Sequence, residues 1–319
     1  MKAIVYEKVK SSKALVLRDV AKPIPATREV LVRIHAASVN ALDYRPMQMG
    51  VGIPKSRIFG ADIVGMVEAV GRDATTFKPG DMVVGDISGD GCGGFAEYVA
   101  VDEKVLALKP SAIFDELAAA LPVAAVTALQ ALRDKGEVKA GMSLLIYGAG
   151  GGVGTYAVQL ASYLGAQVTA VCSTRNTALV RNLGASEVID YTSEDITTSG
   201  RLFDRIIAIN GYHRLSAYKH LLTPHGIFVM VGGSLKQIFT SLLFGSLMSV
   251  GSKKMRTLAA KPNREDLEFV LDLVASGKIH PVIDRCYPLE QTAEAMSYVS
   301  EGHAQGKMVI TVTSQSGPM

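Results

Sequence analysis

The sequence predicts an α/β protein built as an irregular β domain followed by a doubly wound parallel sheet. Three observations support that expectation. The first hundred residues read as strands interrupted by Gly and Pro. Beyond them, strand-like and helix-like segments alternate. At the head of that alternation stands LIYGAGGGVG (Leu145 to Gly154), an apolar run that enters a glycine-rich turn and opens a helix.

The elements follow in order. MKAIVYEKVK alternates like a strand with no apolar leader before it, so no secretory signal is expected. EVLVRIHAAS (Glu29 to Ser38), DIVGMVEAV (Asp62 to Val70) and GFAEYVAV (Gly94 to Val101) are further strands, and KPGD (Lys78 to Asp81) is a turn. From Asp115, DELAAALPVAAVTALQAL has helical spacing. LLIYG leads to a helix over Val153 to Leu164, and AQVTAVC (Ala166 to Cys172) leads to one near Thr177 to Leu183. SEVIDY, DRIIAIN and GIFVMVG are short strands. Pro262 to Gly277 is a marked helix. Asn263 caps it, Asp266 stands near N3, and Leu267, Val270, Leu271 and Val274 form an apolar stripe. The last strand is GKMVITV (Gly306 to Val312).

Composition removes several classes of function. Hydrophobic residues make up 48% and charged residues 20%, which supports a sizeable core and excludes a disordered chain. Net charge is +3 and the basic residues do not cluster, so no nucleic-acid partner is expected. Cys92, Cys172 and Cys286 are far apart and form neither a disulfide framework nor a four-Cys zinc site. A reducing, cytoplasmic compartment is expected, or an organelle after removal of a transit peptide. No apolar run reaches the roughly 18 residues that span a bilayer. IFTSLLFGSLMSVG (Ile238 to Gly251) is short and broken by Gly and Ser, and reads as the wall of a core or pocket.

In the glycine turn, Ala149, Gly151 and Gly154 take the three positions of a dinucleotide fingerprint, with Gly152 and Val153 between them. Ala at the first position loosens the turn requirement. Gly151 would let the backbone approach a pyrophosphate, and Gly154 would let the helix pack on the sheet. The helix N-terminus offers N–H groups and a positive dipole end to the anion. The following strand decides between NAD and NADP. NAD sites place Asp or Glu at its end. Here the strand runs into Ser173, Thr174, Arg175 and Asn176. Ser173 and Asn176 can hydrogen-bond a 2′-phosphate, and Arg175 can pair with its charge. Tyr191, after the next strand, can reach it with its hydroxyl. NADPH is the expected cofactor; the alternative is a solvated Arg175 at a helix start.

Several stretches together carry a family likeness: SVNALDYR (Ser38 to Arg45), FGADIVGMVEAVG (Phe59 to Gly71), FKPGDMVVG (Phe77 to Gly85), LPVAAVTALQAL, GAGGGVGTYAVQLA and GHAQGKMVI. The chain resembles the medium-chain dehydrogenase/reductase superfamily over nearly its full length. Within it, the resemblance is to the zinc-independent quinone oxidoreductase branch, including plant chloroplast-envelope and bacterial homologues. The resemblance implies a GroES-like catalytic domain over residues 1–122, completed by 262–319. A Rossmann domain over 123–261 would be inserted between, with the cofactor in the cleft. Zinc-dependent relatives use Cys, His and Cys where this sequence has Asn40, Ala61 and Val123. Those residues cannot rebuild a three-ligand zinc site.

The implied activity is NADPH-dependent reduction of a quinone or an α,β-unsaturated carbonyl, with a small-molecule substrate and a homodimeric enzyme. Asn40 would face the nicotinamide end, or else satisfy a local loop. Tyr44 is the candidate proton donor, with a wall residue as the alternative. Asp43 reads as structural, pairing with an Arg or capping the helix that follows. Thr127 matches a family position near the cofactor, although helical spacing alone places it in a core. Asn210 follows one strand, and Gly232 and Gly233 another, at the ends where doubly wound sheets hold ligands. His303 and Lys307 lie in a segment resembling the family's cofactor-closing loop. The other histidines, His213 among them, read as structural or solvated. Two further functions stay open: an NADPH-binding regulatory or partner protein with little turnover, and a secondary-alcohol dehydrogenase holding a metal through other ligands.

Overall fold

The computed structural model describes residues 1–9, 12–211, 213–232, 252–302 and 304–312. Its contacts divide the chain into two units: Met1–Val126 with Pro262–Met319, and Thr127–Lys261.

The first unit opens on the antiparallel pair β1 (Lys2–Val9) and β2 (Ser12–Asp19). Then come β3 (Glu29–Val39), α1 (Ala41–Met49), β4 (Asp62–Val70), β5 (Met82–Asp86), β6 (Tyr98–Asp102) and β7 (Leu106–Leu108). Helix α2 (Asp115–Ala119) follows, and α3 (Pro122–Gln130) carries the chain from the first unit into the second. The helical run expected from Asp115 is thus two helices. Pro122 supplies no N–H to an earlier carbonyl, so the helix restarts on it.

The second unit contains β8 (Ser143–Tyr147), α4 (Gly152–Tyr163), β9 (Gln167–Cys172), α5 (Thr177–Asn182), β10 (Glu187–Asp190), β11 (Phe203–Ile209), α6 (Leu215–His220), β12 (Leu222–Val231) and β13 (Lys254–Leu258). Its sheet runs β10-β9-β8-β11-β12-β13, and every pairing in it is parallel. The chain starts in the middle at β8, winds outward to β10, and returns to β11. The order therefore reverses between β8 and β11, and such a switch point is where open α/β sheets hold ligands. The central strands β8 and β11 carry apolar runs, as strands covered on both faces require. Leu144, Leu145, Ile146, Ile206 and Ile207 are all buried.

The chain then returns to the first unit with α7 (Arg264–Ala275), β14 (Ile283–Pro288), α8 (Thr292–Ser300) and β15 (Lys307–Thr311). The cap expected for α7 is present: Asn263 Oδ1 accepts the Asp266 N–H at 2.8 Å. The larger sheet of this unit has the order β14-β15-β3-β4-β5-β7, with β6 also on β3. The central β3 is buried along most of its length. One apolar cluster includes Phe59, Phe95, Tyr287 and Met308, and another includes Ile34, Ile63, Phe77 and Leu106.

The register of this sheet arranges the polar residues that matter below. Ser38 on β3 lies opposite Asp62 on β4, and Asp62 lies opposite Asp86 on β5. On the other side, Met308 of β15 lies opposite Val39 of β3, which brings Lys307 to Asn40.

Candidate functional site

In the second unit, β8 ends at Tyr147 and the chain turns at Gly148, whose φ is +83°. A Cβ there would lie 2.4 Å from the Ile209 carbonyl oxygen, at the end of the neighbouring β11. The turn's left-handed residue is therefore Gly148. The fingerprint pattern places its first position at Ala149, where Ala loosens the turn requirement. Ala149 is instead an ordinary buried residue, and the requirement moves one place back. Gly154 allows α4 to pack on the turn, since a Cβ there would sit 2.1 Å from the Gly148 oxygen. Gly151 is different: its nearest neighbour in that direction is 3.9 Å away. Space stands open beside the backbone at the mouth of a twelve-residue helix whose first residues are Gly152 and Val153. The first N–H groups of a helix have no partner inside it. Open space, unbonded helix donors and a positive dipole end together fit a pyrophosphate.

The Ser173–Asn176 turn follows β9. Ser173 is half-buried, Thr174 and Arg175 are exposed, and Asn176 is buried. Asn176 does more than face a ligand. Its carboxamide packs over the glycine turn, so a Cβ on Gly150 would lie 2.3 Å from Asn176 Nδ2. The same Nδ2 lies 3.4 Å from Ser173 Oγ. Tyr191 is exposed, and its ring lies nearly parallel to that of Tyr147 with centroids 6.4 Å apart. His213 packs edge-on against Tyr147 and Tyr218, in keeping with a structural role. Asn210 follows β11 with φ +51° and donates its N–H to the Val231 carbonyl. Gly232 follows β12 with φ +69°. Thr127 is buried in α3. Gly233 and His303 lie outside the described residues, as does the Ile238 to Gly251 segment.

The sequence reading missed one residue on this side. Asp190, the last of β10, stands in register with Cys172, the last of β9. Its Oδ1 accepts from the Thr192 N–H at 2.9 Å and the Thr192 hydroxyl at 2.8 Å. The end of β9 itself bears no carboxylate, but its neighbour does.

The first unit holds a buried polar cluster around Asp62. Asp62 Oδ2 accepts from Ser38 Oγ at 2.6 Å and from Asn40 Nδ2 at 2.7 Å, and Oδ1 accepts the Val123 N–H at 2.8 Å. The Lys307 ammonium lies 3.5 Å from Asp62 Oδ2, and donates to Asn40 Oδ1 at 2.5 Å and the Val39 carbonyl at 3.1 Å. Burial pushes the Lys307 pKa down, against the pull of Asp62 and Asp43. Asp43 caps α1 as expected: its Oδ2 accepts the Asn40 N–H at 2.7 Å, and its Oδ1 accepts the Gly60 N–H at 3.1 Å. Burial nonetheless pushes Asp43 up to about 7, overcoming both hydrogen bonds. Asp86 rises to about 6, again chiefly by burial. Tyr44, next along α1, is half-buried and packs on the Phe59 and Phe95 cluster.

Among the described residues, no group of three or more His, Cys, Asp or Glu is arranged to hold a metal. No helix among them is long and apolar enough to cross a membrane.

Residues 26–111 match the alcohol dehydrogenase GroES-like domain and residues 183–310 match the zinc-binding dehydrogenase family. The chain is 35% identical over 302 residues to the chloroplast envelope quinone oxidoreductase homolog of Arabidopsis thaliana, covering 90% of this chain and 91% of that one. The chain belongs to the medium-chain dehydrogenase/reductase superfamily. This oxidoreductase is also 35% identical over 325 residues to the 2-methylene-furan-3-one reductase of Solanum lycopersicum, covering 97% of its own length and 79% of the relative's. Among solved structures, the quinone oxidoreductase of Coxiella burnetii matches it with a TM-score of 0.88 and 29% identity, covering 98% of this chain and 99% of that one. The GroES-like domain and the parallel Rossmann sheet are thus those of the superfamily.

Proposed function

We propose that this oxidoreductase is an NADPH-dependent, zinc-independent reductase of quinones or α,β-unsaturated carbonyls. The observation that carries the reading is the open backbone at Gly151, at the head of α4 and at the sheet's switch point. The Gly151 backbone and the first N–H groups of α4 hold the pyrophosphate. Ser173, Arg175 and Tyr191 hold the 2′-phosphate, the arginine by charge and the hydroxyls by hydrogen bonds. Asn210, Gly232 and Thr127 border the cofactor. When bound, the reduced nicotinamide supplies the hydride.

The remaining work falls to side chains of the first unit. Asn40, fixed between Asp62 and Lys307, is the carboxamide we assign to the nicotinamide contact. Tyr44 donates the proton that the reduced substrate takes up, as a neutral phenol can. Zinc independence rests on donor chemistry. A carboxamide at Asn40, a methyl at Ala61 and an isopropyl at Val123 offer no thiolate or imidazole. The carboxamide and the Val123 N–H are moreover turned onto Asp62. The two named reductase relatives support the substrate class. The enzyme works on a small molecule, as a homodimer.

Stopped-flow loss of NADPH absorbance with 1,4-benzoquinone, methyl vinyl ketone and a long-chain enone tests the reading. Turnover with at least one acceptor, unaffected by chelators, is expected. Tight NADPH binding with no turnover on any of them would replace the enzyme reading by a cofactor-binding partner. Loss of turnover with chelator would overturn zinc independence.

A further inference from the structure

We propose that Asp190 is a positioning residue of the nucleotide site, holding the Ser173–Asn176 turn through Thr174 and Thr192 so that Ser173 and Arg175 meet the 2′-phosphate together. The inference rests on the reading of Ser173 and Arg175 as the phosphate-binding pair.

Strands β9 and β10 are parallel neighbours and end side by side. Asp190 is opposite Cys172, and the Tyr191 N–H donates to the Cys172 carbonyl at 3.1 Å. Beyond that point the two chains form separate turns, and the contact between them is polar. Asp190 Oδ1 accepts the backbone N–H and hydroxyl of Thr192, which closes its own turn. The Thr192 hydroxyl lies 3.0 Å from the Thr174 hydroxyl. Through that relay the donors of Thr192 and Thr174 hold the Asp190 carboxylate below the usual carboxylate range.

The far end of the Ser173–Asn176 turn is held as well. Asn176 is buried, its carboxamide lies against Gly150, and its N–H donates to the Ser173 carbonyl at 2.9 Å. One end of the turn is therefore tied to β10 and the other to the glycine turn. Ser173 and Arg175 alternate with the two tied residues. A phosphate that needs both side chains at once gains affinity when the backbone under them is already set, since less ordering remains to be done on binding.

Asp190 also carries a negative charge beside a subsite for a phosphate. Charge alone would weaken phosphate binding, and removal of the carboxylate would then strengthen it. The tether predicts the opposite sign.

Isothermal titration of the full chain with NADPH, NADH and 2′,5′-ADP separates the two. Asp190→Ala is expected to weaken NADPH and 2′,5′-ADP by about tenfold and NADH by less than about threefold, the range that loss of preorganisation covers. Asp190→Asn keeps an acceptor for Thr192 and should recover part of the loss. Thr174→Val removes a tether while leaving the charge, and should show the same selective loss. Equal losses for both dinucleotides, no change, or tighter NADPH binding would overturn the proposal. If the wild-type chain does not prefer NADPH, the phosphate reading and the clamp both fall. If the preference exists, disappears in Arg175→Ala and survives in Asp190→Ala and Thr174→Val, only the clamp falls.

Discussion

Lys307 Nζ lies 2.5 Å from Asn40 Oδ1, although the two residues are 267 positions apart in the chain. The antiparallel register of β15 on β3 brings them together. Asp62 completes the arrangement, taking the amide end of Asn40 at 2.7 Å and standing 3.5 Å from the ammonium. One carboxamide is thus read from both ends, oxygen toward the cation and nitrogen toward the anion. That fixes its orientation without ambiguity.

Removing the lysine leaves a buried Asp62 charge without its cation. Lys307→Met is expected to cost about 3–5 kcal/mol of stability, the usual penalty for breaking a buried pair. Urea unfolding of the purified protein measures it. Asp62→Asn combined with Lys307→Met should cost clearly less than the two single changes added together, because the pair shares one interaction. Additive losses would show that the two residues act separately.

Asp43 gives the first unit an acid-side pH dependence. Its folded pKa of about 7 exceeds the ordinary carboxylate value, so the fold keeps this proton longer than the unfolded chain does. The stabilisation is complete below the unfolded pKa and is lost as pH rises toward 7. Asp86, at about 6, adds to the same slope. Lys307, whose pKa burial depresses, acts with the opposite sign. Urea midpoints between pH 4.5 and 8 should fall with rising pH, and Asp43→Asn should flatten the fall. A midpoint that rises across this window in the wild type would contradict the assignment.

Arg175→Ala is expected to raise the Kd for NADPH by about 10- to 100-fold, the range for loss of a hydrogen bond to a charged group. The Kd for NADH should change by less than about threefold. Fluorescence titration reads both, and equal effects on the two cofactors would end the case for a 2′-phosphate contact.

Gly150 and Asn176 form a second coupled pair. A Cβ on Gly150 would come within 2.3 Å of Asn176 Nδ2 and 2.6 Å of its Cγ. Gly150→Ala should therefore cost about 1–3 kcal/mol, as overpacking does. Asn176→Ala in the same chain should return part of it. No recovery in the double variant would mean that the glycine answers to something other than Asn176.

Tyr44→Phe separates a proton donor from a wall residue. The ring still packs on the Phe59 cluster, and only the hydroxyl is lost. As a donor, Tyr44 predicts a fall in kcat of about 10²-fold or more, with the Kd for NADPH unchanged. An unchanged kcat would leave it as packing.

The glycine turn shows how far local pattern reaches. An apolar strand, a glycine run and an amphipathic helix are all short-range features, and they locate the strand–turn–helix at Ser143–Tyr163. The exact residue that must be left-handed was not legible. It is Gly148, because the carbonyl of Ile209 comes up beside it, and Ile209 is 61 positions downstream (209 − 148) at the end of β11, a strand that pairs only after folding. The capping of α7 by Asn263 is legible for the same reason as the turn itself: the cap joins residues a few positions apart. Asp43 fits an arginine partner or a cap by sequence, and its bond to the Asn40 N–H decides for the cap.

The sequence by itself determined the alternation of strands and helices, the Asn263 helix cap and the place of the glycine turn, since each is written in residues within a turn or two of one another. Only the tertiary structure decided that Lys307 grips Asn40, that Asp86 lies opposite Asp62 and that Asp190 lies opposite Cys172. Those neighbours are set by which strands pair and in what register, and that choice belongs to the packing of the whole sheet rather than to any stretch of chain.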